Sequence, residues 1–190
     1  MITSLRNYPS KISTRIILVT GLAIFIPAYG YIARLFSQMG IETAEFNTVW
    51  LSFDVNQFQI FVQKIIDQGQ VHTFLLSYKI NIISMSGFGC VFFALAIILT
   101  RTIPEESKLY NTATVFPVVA VLIATLDIFP SLFLIASATS FPHLSQWVVT
   151  TISGGYMVRV ILLYILLLWF AVVGINRGKA FYNKVTKNTA

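Results

Sequence analysis

Four apolar stretches, at about residues 16–35, 80–100, 112–138 and 147–175, limit what this chain can fold into. A helix needs about 20 mainly apolar residues to cross the hydrocarbon core of a bilayer, and each stretch supplies them. Of the 190 residues, 56% are hydrophobic and 11% charged, whereas a soluble domain carries about 25% charged residues. A soluble core of this size cannot hide so much apolar surface, so lipid is the expected solvent. The expected fold is all-α and integral to the membrane: one domain, residues 1–190, built as a four-helix transmembrane bundle.

The basic residues set the expected orientation. Arg6, Lys11, Arg15, Arg101, Lys108, Arg177, Lys179, Lys184 and Lys187 flank one side of the spans, against Arg34, Lys64 and Lys79 on the other. Nine against three puts both termini, including the tail 176–190, in the cytoplasm or its topological equivalent. A bacterial inner membrane is the expected location, with an organellar inner membrane as the alternative, because the basic, Ser/Thr-rich start also suits a transit segment. The net charge of +6 lies beside hydrophobic segments, as topology signals do, so nucleic acid is not an expected partner. The lone Cys90 excludes an internal disulfide and any CxxC chemistry.

The long outer loop, about 37–79, contains "FDVNQFQIFVQKIIDQGQ". Val55, Phe58, Phe61, Val62, Ile65 and Ile66 recur at helical spacing, with Asn56, Gln57, Gln59, Gln63, Lys64 and Asp67 opposite. Asp54 with Gln57 resembles a capping box, and Gly69 is a stop signal. The expectation is an amphipathic interfacial helix over about 55–68, either a lid over an inter-helix cavity or a segment resting on lipid and bundle. Trp50, Tyr78, Tyr110 and Trp147 stand near span ends and suit interfacial belts.

Asp127 in "ATLDIFPSLFL" and Arg159 in the fourth span are acid and base inside apolar runs. Residue 143, midway between them, falls in the turn "SFPHLS", so an antiparallel hairpin brings them to similar depth. A lone charge near mid-bilayer costs at least about 2.5–3.5 kcal/mol, and facing charges relieve each other. An Asp127–Arg159 pair is expected, direct or through one water. Pro130 frees the carbonyl of Leu126, a second acceptor that Arg159 could reach. The pair either clasps two helices or lines a polar cavity.

Gly87 and Gly89 in "NIISMSGFGC", and Gly154 and Gly155 in "TTISGGY", predict close packing between spans two and four. Cys90 reads as a small packing residue. His72 and His143 both fall on the outer side. They allow a haem or metal site as an alternative to no cofactor, but lack the in-helix repeats and further ligands such sites use. No phosphate loop, zinc-protease, serine-hydrolase or paired-carboxylate motif is present.

The order of these parts resembles a family of small bacterial four-span membrane proteins without an assigned function. Residues 53–69 correspond to its outer helix, Asn81 to the polar residue that opens span two, Asp127 to its span-three acid and Arg159 to its span-four base. The family's Glu-Asn partners are missing here: Phe129 and Pro130 stand near those positions. The resemblance implies the topology and marks Asp127, Arg159 and Asn81; it implies no activity. The expected function is therefore a non-catalytic accessory or structural subunit, with the bilayer and a membrane-protein partner or second copy as its neighbours. The alternative is a carrier or binder of a lipid or small solute at Asp127–Arg159 and Asn81.

Overall fold

The computed structural model describes residues 8–104 and 107–188. Arg6 lies outside the described residues, as do the side chains of Lys108, Arg177, Lys179, Lys184 and Lys187. The described chain is all-helical: α1 (Lys11–Gln38), α2 (Thr43–Leu51), α3 (Val55–Asp67), α4 (Val71–Thr100), α5 (Lys108–Ala113), α6 (Phe116–Ala136) and α7 (Gln146–Asn188). A 3-10 turn, Ala138–Ser140, joins α6 to α7. The four helices α1, α4, α6 and α7 are long and apolar enough to cross a membrane, α7 over Gln146–Asn176. Helix α6 is the shortest at 21 residues, about 31 Å at 1.5 Å per residue, which matches a bilayer core.

The four long helices form an open row, α1–α4–α6–α7, in which each packs on the next. Helix α4 is central, with 44% of its span window buried against 11% for α1. Helices α4 and α7 barely touch, which corrects the expectation that their glycine patches pack together. Instead Gly87 faces α1: a Cβ there would come within 2.9 Å of the Gly21 carbonyl oxygen and 2.7 Å of the Phe25 nitrogen. Gly89 faces Ala124 of α6, and Cys90 lies beside Gly21. Gly155 packs on Pro130, and Gly154 lies under the ring of Phe53. Such small-residue seams bring backbones close enough for dispersion to hold them together, as small residues do between membrane helices.

Helices α2 and α3 cap one end of the row; the row's two chain ends lie at the other. Helix α2 was not legible as a helix, yet Phe46, Val49 and Trp50 lie at i, i+3 and i+4 on its inward face. Helix α1 stops with Gly40 in the left-handed region (φ 65°), where its N–H reaches the Ser37 oxygen and that of Ile41 the Phe36 oxygen. Gly69 ends α3 in the same way. Both are glycine-closed ends that return the chain sharply. Asp54 caps α3 by accepting from the Asn56 N–H at 2.8 Å. The reciprocal half of the box is not made, because the Asp54 N–H goes to Ser52 Oγ.

Helix α3 buries Phe58, Phe61, Val62 and Ile65 against α2, α4 and α7. Trp50, 3% exposed, stands at the centre of this cap. It stacks on Phe46 at 4.1 Å and meets Phe58 at 4.8 Å and the edge of Phe61 at 5.5 Å. Trp50 and Tyr78 are thus core residues rather than belt residues, as is Tyr110 at the other end, whereas Trp147 is exposed. This packing also explains why α4 begins at Val71, not near residue 80: its first turns carry Phe74 and Tyr78 into the cap. Helix α6 begins four residues later than expected, since Pro117 in its first turn cannot continue a preceding helix. The joint between α2 and α3 is Phe53, a non-glycine residue at φ 56°. Gln146 of α7 holds its carbonyl oxygen at 2.9 Å.

The glycine seam makes a direct prediction. Gly87→Val should force α1 from α4 and destabilise the protein by about 1–3 kcal/mol. Gly30→Val, at a site with nothing within 4 Å, should cost at most the helical difference between the two residues. Thermal unfolding in detergent compares them.

Candidate functional site

Asp127 lies on α6 two turns before its end, 8% exposed. Arg159 on α7 reaches it directly: Nη1 donates to Oδ1 at 2.6 Å. Asn81 on α4 donates through Nδ2 to Asp127 Oδ2 at 2.8 Å and to Ser131 Oγ at 3.2 Å. The Ser131 hydroxyl donates to the Asp127 backbone oxygen at 2.9 Å. Both carboxylate oxygens therefore accept charge-assisted or amide hydrogen bonds, and three helices meet on one acid. Arg159 does not bond the Leu126 oxygen among the described residues. Gly155, one turn earlier, occupies that ground and lies beside the freed carbonyl.

The polar knot forms the deep wall of a cavity of about 580 Å³. Its other walls come from Ile32 and Phe36 of α1, Tyr78 and Met85 of α4 and Tyr156 of α7, and α2 roofs it with Phe46, Asn47 and Trp50. Helices α1 and α7 face each other across it without being packed together, so the break in the row is what leaves the space. The roof is tied down by Tyr156, whose hydroxyl donates to Asn47 Oδ1 at 2.6 Å. The Arg159 guanidinium lies 5.1 Å from the centre of the Tyr156 ring, a cation–π contact.

Helix α3 does not line the cavity, so of its two expected roles the lid is not met; α2 lines the cavity instead. Asp127, Arg159 and Asn81 are gathered there, while Gly87, Gly89 and Gly155 are at helix seams and Gly154 lies under Phe53. His72 and His143 are both exposed, and no three His, Cys, Asp or Glu side chains cluster among the described residues. Sequence reading missed Ser131, Tyr156, Tyr78, Asn47 and Trp50. Ser131 and Tyr156 carried a signal, being one helical turn from Asp127 and Arg159 on the same faces. Asn47 and Trp50 required α2 to be seen first. The size and mixed lining are those of a small-molecule site: mainly apolar walls with a few convergent polar groups.

No known protein family, curated protein or solved structure matches this chain. What the site does must be argued from its own geometry.

Asp127→Ala and Arg159→Ala should each cost roughly 3–5 kcal/mol, because each strands the other charge in an apolar wall. The double substitution should recover part of that loss, with a coupling of about 0.5–3 kcal/mol in a double-mutant cycle. Unfolding free energies in detergent supply the numbers, and strict additivity would show that the pair carries no coupling.

Proposed function

We propose that this is an integral membrane protein that binds a small amphiphilic molecule in the cavity between α1, α4, α6 and α7. The reading is carried by one observation: a 580 Å³ apolar cavity whose deep wall is the Asp127–Arg159–Asn81 knot. A clasp between helices needs no such space beside it. Exposed Ile16, Val19 and Ile26 of α1, Val118 and Val121 of α6, and Ile161, Leu168 and Val172 of α7 give the row an apolar outer surface. Contiguous apolar surface of that extent suits lipid. The excess of Lys and Arg at the terminal end supports an orientation with that end in the cytoplasm and α2 and α3 on the outer face.

In this orientation the cavity lies in the outer half of the membrane. The gap between α1 and α7 opens it sideways to the lipid, under a roof laid at the interface. An amphiphile enters tail-aligned from the leaflet, sets its polar group on the knot and leaves its apolar part along Ile32, Phe36 and Met85. No enzymatic step is assigned: the Ser131 hydroxyl is spent on the Asp127 backbone oxygen, and both carboxylate oxygens of Asp127 are engaged. The accessory-subunit reading gains nothing from the row, because lipid covers the free face of α1 as well as a partner would.

Native mass spectrometry of protein released from nanodiscs tests the proposal. The expected result is a one-to-one bound amphiphile. Ala33→Phe, which fills the cavity from an exposed position on α1, should remove that mass at unchanged melting temperature. Protein that carries no bound amphiphile, and takes none up when lipid is supplied, overturns the reading.

A further inference from the structure

We infer that the cavity selects a neutral amphiphile whose head group accepts hydrogen bonds through a carbonyl oxygen and donates none, as a fatty acyl ester does. This rests on the binding reading above and names its ligand class.

Asp127 has both oxygens engaged, by Arg159 and Asn81. Arg159 spends one N–H on Asp127, and its remaining donors have no protein partner among the described residues. Its side chain keeps 21% exposure on the cavity wall. Asn47 accepts from Tyr156, and its amide donors are unspent. Tyr78 is 6% exposed and lines the cavity, and its buried hydroxyl has no partner among the described residues. A buried polar group without a partner costs roughly 1–3 kcal/mol, and a small turn of the ring toward the cavity lets an acceptor bound there relieve it. The free capacity beside the knot is thus rich in donors; the acceptors left are the amide oxygen of Asn81 and, in an exposed position, the Glu42 carboxylate.

Charge then narrows the class. Of the ionised side chains on the walls, Glu42 is exposed, and the buried pair of Asp127 and Arg159 is already neutral. An anionic head group would meet the open side of Arg159 but would leave the buried cluster with uncompensated negative charge. In a low-dielectric wall that is costly. A cationic head group meets Arg159 directly and can accept nothing from Tyr78 or Asn47. A neutral carbonyl satisfies the donors and changes no charge.

The test uses three probes with one brominated C18 chain and different heads: a methyl ester, a sulfate and a trimethylammonium. Bromine quenches tryptophan on contact. Protein carrying Trp147→Phe and Trp169→Phe reports from Trp50 alone, at the cavity roof. In nanodiscs the ester should quench Trp50 saturably, with an apparent Kd at least tenfold below either charged probe, and Ala33→Phe should abolish the saturable part. Tyr78→Phe should weaken ester binding roughly 3- to 10-fold, the worth of one hydrogen bond. It should not lower the melting temperature, since it deletes an unpartnered hydroxyl; a purely structural tyrosine would instead lose stability and leave the ester's Kd unchanged. Saturable quenching in which a charged probe matches or beats the ester overturns this inference and leaves amphiphile binding standing. Saturable quenching by none of the three overturns both.

Discussion

A carboxylate cannot stand alone in an apolar helix row, and the answer to Asp127 organises the capped half of the protein. Its two oxygens draw Arg159 from α7 and Asn81 from α4, so the acid on α6 becomes the point where three long helices are held in register. Arg159 in turn lies over Tyr156, and Tyr156 holds Asn47 in the roof. The chain of contacts from acid to roof is continuous. Neutralising one charge thereby fixes the depth of α7, the seat of α2 and the deep wall of the cavity.

Two kinds of adhesion share the rest of the structure. Along the row, glycines and alanines bring backbones close, as Gly21 and Gly87 do between α1 and α4. In the cap, aromatic rings fill space, with Trp50 touching Phe46, Phe58, Phe61 and Tyr78. The first kind needs flat, narrow faces and suits lipid, where apolar burial between helices gains little. The second buries bulk and works where water is near. The cavity lies at their meeting, between α1 and α7 and beneath α2.

The four long helices were legible because each is a long apolar run, a signal that survives ignorance of packing. The Asp127–Arg159 pairing was legible because the turn between them is short and lone charges are expensive in apolar surroundings. What could not be read depended on tertiary context. Helix α2 is only nine residues long, and its apolar stripe is three side chains, too few to distinguish from loop. Trp50 and Tyr78 sit where belt residues sit in sequence, and only the fold of α3 over them turns them into core. The glycine patches were read as a seam between α4 and α7, whereas Gly87 meets α1, Gly89 and Gly155 meet α6 and Gly154 meets Phe53. Small residues announce close approach without naming what approaches. The cavity itself is a missing contact between α1 and α7, and no residue encodes an absence.

Phe53 carries a consequence for how the protein comes together. A non-glycine residue in the left-handed region costs about 1–2 kcal/mol, so the short segment between α2 and α3 would not choose this bend by itself. Its carbonyl is held by Gln146 and its ring rests over Gly154, both on the last helix. Gln59 of α3 likewise donates to the Leu144 oxygen, just before that helix. The pitch of the roof is therefore imposed by the final quarter of the chain on a segment synthesised well before it. Until α7 is in place the first two long helices have walls but no ceiling, and the enclosure is a property of the finished chain alone.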